Sequence, residues 1–143
     1  MPTVLCLPIK PRSLNAKVKV AYSNALSEAA RARHSGTLFD GPLYSRIIWF
    51  HKYVSSQGDI DNVAKRIHDA LKMIVFPDDQ AITHCLAIKV DATANVEIIE
   101  DPENLEAFLE LSERLAASEV KDILYVEIGR QESTRIHLGR VVQ

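Results

Sequence analysis

Between Gly58 and Ile82 the chain reads GDIDNVAKRIHDALKMIVFPDDQAI, and this stretch holds the residues best suited to chemistry. Asp59 and Asp61 straddle Ile60, Lys65 follows four residues after Asp61, and Asp78 and Asp79 follow Pro77. In extended backbone alternate residues point the same way, so Asp59 and Asp61 can face one cation. Carboxylates at close range repel, and one keeps its proton unless a counter-charge is supplied. Hard oxygen ligands suit Mg²⁺ or Mn²⁺. Lys65, one helical turn beyond Asp61 on the same side, can reach a phosphate, steady a nucleophilic water or stabilise a leaving group. Asp59, Asp61 and Asp79, with Asp78 beside them, a divalent cation and Lys65 suit metal-assisted phosphodiester hydrolysis. In that chemistry the metal polarises a phosphoryl oxygen and lowers the pKa of a bound water. The expectation is that the intervening helix folds back against a sheet and lets both acidic pairs meet at one end of the domain.

Taken singly, each residue also has a plainer role. Asp61 could serve only as a helix N-cap. Pro77-Asp78-Asp79 could be only a turn. Lys65 could be a solvated helix residue, Asp69 the ion-pair partner of Lys65, Arg66 or Lys72, and His68 a structural or surface residue. An EF-hand loop is excluded, because its sixth position would be Ala64 rather than glycine and its twelfth holds no glutamate. The joint occurrence carries the metal reading.

At 143 residues, with 47% apolar and 25% charged residues, residues 1–143 read as one globular domain with a real core. The two cysteines, Cys6 and Cys85, fit no metal or disulfide spacing and read as small buried hydrophobes in a reducing compartment. No apolar run is long enough for a membrane span. The N-terminus MPTVLCLPIKPR lacks a signal peptide's charged start and apolar stretch, so a cytoplasmic location follows. The net charge is −2, unevenly spread: residues 1–96 sum to +4 and residues 97–143 to −6. Contacts to phosphate come from local patches, so this pattern is compatible with DNA.

Hydrophobic periodicity sets the elements that must position the acids. Val4 to Ile9 is a short strand. Lys17 to Arg33 is an amphipathic helix with its stripe at Val18, Ala21, Tyr22, Ala25, Leu26 and Ala29, closed by Ser35-Gly36. Leu43 to Val54 is a strand in which Trp49 and Phe50 pack in the core. A helix over residues 62–73 buries Val63, Ile67, Ala70, Leu71 and Ile74. Ala81 to Val90 and Val96 to Glu100 read as strands. Asp101-Pro102 starts an acidic helix near residues 102–118, with its stripe at Leu105, Phe108, Leu109, Ser112, Leu115 and Ala116. Ile123 to Ile128 is the last strand, and the tail QESTRIHLGRVVQ is either an arm or a short strand. The order β-α-β-α-β-β-α-β gives an α+β fold: a mixed or mainly antiparallel sheet packed by helices.

Asp59-Ile60-Asp61-Asn62, Lys65, Asp69-Ala70-Leu71, Asp78-Asp79 and Ile82 together resemble the signature of the RusA family of Holliday-junction resolvases. The opening LPIKPRSLNAK, Leu7 to Lys17, is similar to that family's proline-flanked start. The resemblance covers roughly residues 4–100. It implies a dimeric, Mg²⁺-dependent endonuclease of α+β fold that cuts symmetry-related strands of four-way DNA junctions. Asp59, Asp61 and Asp79 would be its catalytic carboxylates, Lys65 its catalytic lysine and Asp78 a supporting member. The resemblance also makes the helix near 102–118 an insertion between the last two strands. Where family members carry a basic run before the first acidic pair, this chain reads HKYVSSQG. The expected DNA contacts are Lys10, Arg12, Lys17, Lys19, Arg46, Lys52, Arg66 and Lys72. The rival readings are a non-catalytic branched-DNA-binding or regulatory module of the same fold, and a metal-dependent nuclease with another nucleic-acid target.

Overall fold

The computed structural model describes residues 2–11, 16–53, 60–94, 96–98, 105–132 and 138–139; for residues 16–19 and Asp61 the description covers backbone only. The elements are β1 (Thr3–Leu7), α1 (Ala16–Arg33), β2 (Leu43–His51), α2 (Ile60–Leu71), a short 3₁₀ turn (Asp79–Ala81), β3 (Ile82–Asp91), α3 (Leu105–Ala116) and β4 (Asp122–Arg130). The four strands form one sheet in the order β1-β4-β2-β3. β4 pairs antiparallel with both β1 and β2, while β2 and β3 are parallel. A parallel pair needs a long crossover, and α2 supplies it. The expected mixed sheet and α+β class are what the chain forms.

Strand alternation divides the side chains between two cores. On one face Leu5, Leu43, Ile47, Trp49, Leu124, Val126 and Ile128 pack against Tyr22, Leu26 and Ala30 of α1 and Val63, Ile67 and Leu71 of α2. On the other, Cys6, Phe50, Ile123 and Tyr125 pack against Leu111 of α3. The 3.6-residue period that marked α2 is the stripe it buries.

Three expectations are corrected. No strand forms at residues 96–98, and residues 99 and 100 lie outside the described residues. β3 ends in a turn, with Asp91 Oδ1 accepting from the Thr93 amide at 2.9 Å. Ile98 then packs into the α3-side core instead of pairing in a hairpin. In α3 the buried line runs through Ala107, Leu111 and Leu115, whereas Leu105 and Leu109 are 45% and 57% exposed. Beside that line, Glu110 pairs with Arg33 of α1 and with Arg114 of its own helix, each at 3.2 Å. Cys6 is buried as expected, but Cys85 is exposed on β3. Most of the C-terminal tail lies outside the described residues.

Candidate active site

α2 returns the chain from the end of β2 to the start of β3, so it fixes where the two acidic pairs can stand. Asp61 occupies its first turn, and Leu71 ends it ten residues later, about 15 Å along the axis. Asp59, which precedes α2 in sequence, lies outside the described residues. The expected meeting of both acidic pairs involves Asp59 and the Asp61 side chain, which lie outside the described residues.

The corner after α2 is rigid for identifiable reasons. Met73 takes a left-handed backbone conformation, φ 68°, which is uncommon for a residue with a side chain. It closes a tight turn in which the Met73 amide donates to the Phe76 carbonyl at 2.7 Å. Val75 and Phe76 are fully buried and anchor the turn in the α1/α2 core. The Phe39 amide donates to the Val75 carbonyl at 2.8 Å, and the Ala81 amide to the Asp78 carbonyl at 3.0 Å. Asp78 is extended and its side chain makes no cap hydrogen bond; it faces Lys72 at 3.6 Å.

Among the described residues, Asp79 Oδ1 is buried and has no hydrogen-bond partner. A buried carboxylate oxygen left without a donor is costly, and a hard divalent cation is one ligand whose chemistry fits it. Beside Asp79 stands His68, which its sequence context marks only as a structural or surface residue. His68 Nε2 and the buried Ser45 Oγ are hydrogen-bonded at 2.7 Å, and Phe76 meets the imidazole edge-on with ring centroids 6.3 Å apart. Burial pushes the His68 pKa below its ordinary 6.5, against the opposing pull of the Asp79 and Asp69 carboxylates. No local motif announces the pair, because Ser45 lies on β2 and meets His68 only once α2 docks. Among the described residues no three His, Cys, Asp or Glu groups gather as a metal site. Asp59 and the Asp61 side chain are not among them.

Residues 10–99 match the family model described as Endodeoxyribonuclease RusA. The chain belongs to the RusA endodeoxyribonuclease family. Comparison with curated proteins gave no match. The matched span carries β1's exit, α1, β2, α2 and β3, and thus both acidic pairs; α3 and β4 lie beyond it.

The remaining residues expected to act in a RusA nuclease are dispersed. Lys65 is exposed on α2. Lys10 sits over the ring of Tyr53, 5.5 Å from its centroid. Arg46 is half-exposed and 4.0 Å from Glu127, a buried carboxylate that accepts from the hydroxyls of Tyr44 and Tyr125 at 2.6 and 2.7 Å. Lys52 donates to the carbonyls of Arg114 and Ala117 at 2.9 and 2.7 Å, so its ammonium caps the C-terminus of α3. Desolvation lowers its pKa. Arg66 lies near the Tyr22 hydroxyl, and Lys72 faces Asp78. Arg12 and the side chains of Lys17 and Lys19 are outside the described residues. No helix among the described residues is long and apolar enough to cross a membrane.

Proposed function

We propose that this chain is a Mg²⁺-dependent endodeoxyribonuclease that resolves four-way DNA junctions as a homodimer. The observation that carries the reading is the buried, unpartnered oxygen of Asp79 in a chain of the RusA family. Asp59, Asp61 and Asp79 would hold the cation, with Asp78 at their side; Mn²⁺ would serve by the same hard-oxygen chemistry. When bound, the cation polarises a phosphoryl oxygen and lowers the pKa of a bound water.

The chain's own residues do the positioning. The anchored corner at Val75 and Phe76 holds the Asp79 carboxylate in one place. Lys72 offsets part of the charge that Asp78 adds beside it. Lys65, exposed on α2, brings an ammonium to the scissile phosphate or the leaving oxygen. With α2 running about 15 Å between Asp61 and Leu71, each site would take Asp59 and Asp61 from one copy and Asp79 from the other. A two-fold dimer then carries two equivalent sites, which a junction of two-fold symmetry requires.

Cleavage of a labelled four-way junction with and without Mg²⁺ tests the reading. Asp79→Asn and Asp59→Asn should each lower the cleavage rate at least ~100-fold, beyond what loss of a supporting group does, while junction binding persists. Retained cleavage in both variants would remove the mechanism. Binding without nicks by the unaltered chain would make it a branched-DNA-binding module. Faster cutting of flaps, forks or RNA would change the substrate.

A further inference from the structure

The Asp79 corner is tied to the middle of the sheet through three side chains. Ser45 stands on β2, a strand with neighbours on both sides, where it pairs with Ile128 of β4 and Cys85 of β3 and is buried. Its hydroxyl and Nε2 of His68 on α2 are hydrogen-bonded at 2.7 Å. The imidazole meets the fully buried Phe76 ring edge-on, at 80° and 6.3 Å between centroids. Only Pro77 and Asp78 separate Phe76 from Asp79, which opens the 3₁₀ turn.

An apolar side chain at position 68 would also dock α2 on β2, but apolar contact is non-directional. A hydrogen bond weakens steeply off line, so Ser45 fixes the imidazole in rotation as well as in place. A polar pair withdrawn from water is costly unless both members are bonded; this pair is bonded, and what it adds over an apolar contact is orientation. The oriented ring is the surface on which Phe76 packs, and the short link from Phe76 carries that order to Asp79. His68 and the Asp79 carboxylate also lie within electrostatic reach of each other. A buried oxygen without a donor, as Asp79 Oδ1 is among the described residues, holds a cation well only when its supporting shell keeps it in the productive place.

We propose that His68 is a positioning residue for the metal-binding carboxylate of Asp79, held in orientation by Ser45 and acting through Phe76. The inference rests on the nuclease reading above and extends it to two residues, Ser45 and His68, that sequence spacing did not place in the site. Neither touches the phosphodiester. Their contribution is to the affinity for the cation, and the rate once the cation is bound changes little.

The experiment titrates the full chain with Mn²⁺ in the absence of DNA and reads the free ion by electron paramagnetic resonance. Ser45→Ala and His68→Ala should each weaken Mn²⁺ binding about 10–100-fold, as loss of a supporting partner does at metal sites. His68→Gln, which keeps a side-chain amide for the Ser45 hydroxyl, should restore most of the affinity. Leu111→Ala, which opens the core on the opposite face of the sheet, should lower stability and leave Mn²⁺ affinity near the wild-type value. Junction cleavage by Ser45→Ala should recover at saturating Mg²⁺, a split that general loss of structure would not give. If His68→Ala does not fold, Ser45→Ala decides alone, since it removes one hydroxyl. Wild-type Mn²⁺ affinity in Ser45→Ala overturns the proposal and leaves the bond as a tie between helix and sheet. An equal loss in Leu111→Ala also overturns it, because affinity would then follow stability. An unaltered chain that neither binds Mn²⁺ nor cuts a junction would instead overturn the nuclease reading, and this inference with it.

Discussion

The two ends of α2 are built on opposite principles. The C-terminal end is dry: Leu71, Val75 and Phe76 are fully buried, Met73 is held left-handed, and Asp79 keeps one oxygen buried without a donor. The N-terminal end is polar and cationic, with Lys10 and Lys89 seated on rings tied to Asp122. One end carries a buried carboxylate oxygen; the other carries ammonium groups held over ring faces. Hydrolysis of a phosphodiester needs both kinds of surface at one place. Under the homodimer proposal above, assembly from two copies would bring them together.

Mixing experiments bear on that contrast most strongly. Asp59→Asn and Asp79→Asn chains, each inactive alone, should regain about a quarter of the wild-type cleavage when exchanged at equal amounts. Half the dimers are then mixed, and each mixed dimer holds one intact site. No recovery would place all the acids of a site in one chain. Next in size, Phe76→Ala should destabilise the fold by about 3–5 kcal/mol, read by urea unfolding, because it empties the anchor beneath the Asp79 corner. Destabilisation of less than ~1 kcal/mol would show that the corner does not depend on its buried ring. At the other end, Lys52→Gln should cost about 1 kcal/mol of stability through the two missing carbonyl bonds at α3. It should leave the salt dependence of junction binding unchanged, and a shallower slope would return Lys52 to the DNA surface.

The smallest effect is a pH dependence. The folded-state pKa of His68 is depressed below 6.5 by burial, so the unfolded chain takes up a proton there more readily than the folded one. His68 therefore leaves stability intact above about pH 6.5 and erodes it as pH falls toward its folded value. Melting temperatures of wild type and His68→Gln should converge in their pH dependence above that point, and the wild type alone should show this component of the acid-side fall. Parallel curves through the acid range would mean that His68 titrates normally.

Much of the contrast was legible in the sequence, and the illegible part has a common cause. Val63, Ile67 and Leu71 announced α2, because their spacing is a local pattern, whereas the parallel β2–β3 pairing was left open within a mixed sheet. The acidic residues were legible by type and spacing, but spacing alone does not fix their separation in space. The Ser45–His68 bond and the bonds from Trp49 and Tyr53 to Asp122 are pairings between elements, fixed by strand register and helix docking. α3 shows the same limit: Leu109 fits an apolar stripe as well as Leu111 does, and packing against Cys6, Ile123 and Tyr125 of the sheet takes Leu111. Val96 to Glu100 looked extended because of its β-branched residues, yet Ile98 found a packing site beside α3 before it found a strand.

The two thiols differ in a way that supplies a ready-made ruler. Cys6 is buried and its pKa is pushed up to about 11, mainly by desolvation, while Cys85 lies exposed on the outermost strand of the sheet. A maleimide spin label should therefore attach to the unaltered protein at one location per chain. In a pair of copies, the separation of the two labels, read by pulsed dipolar spectroscopy, reports how the outer strands face each other with no engineered cysteine.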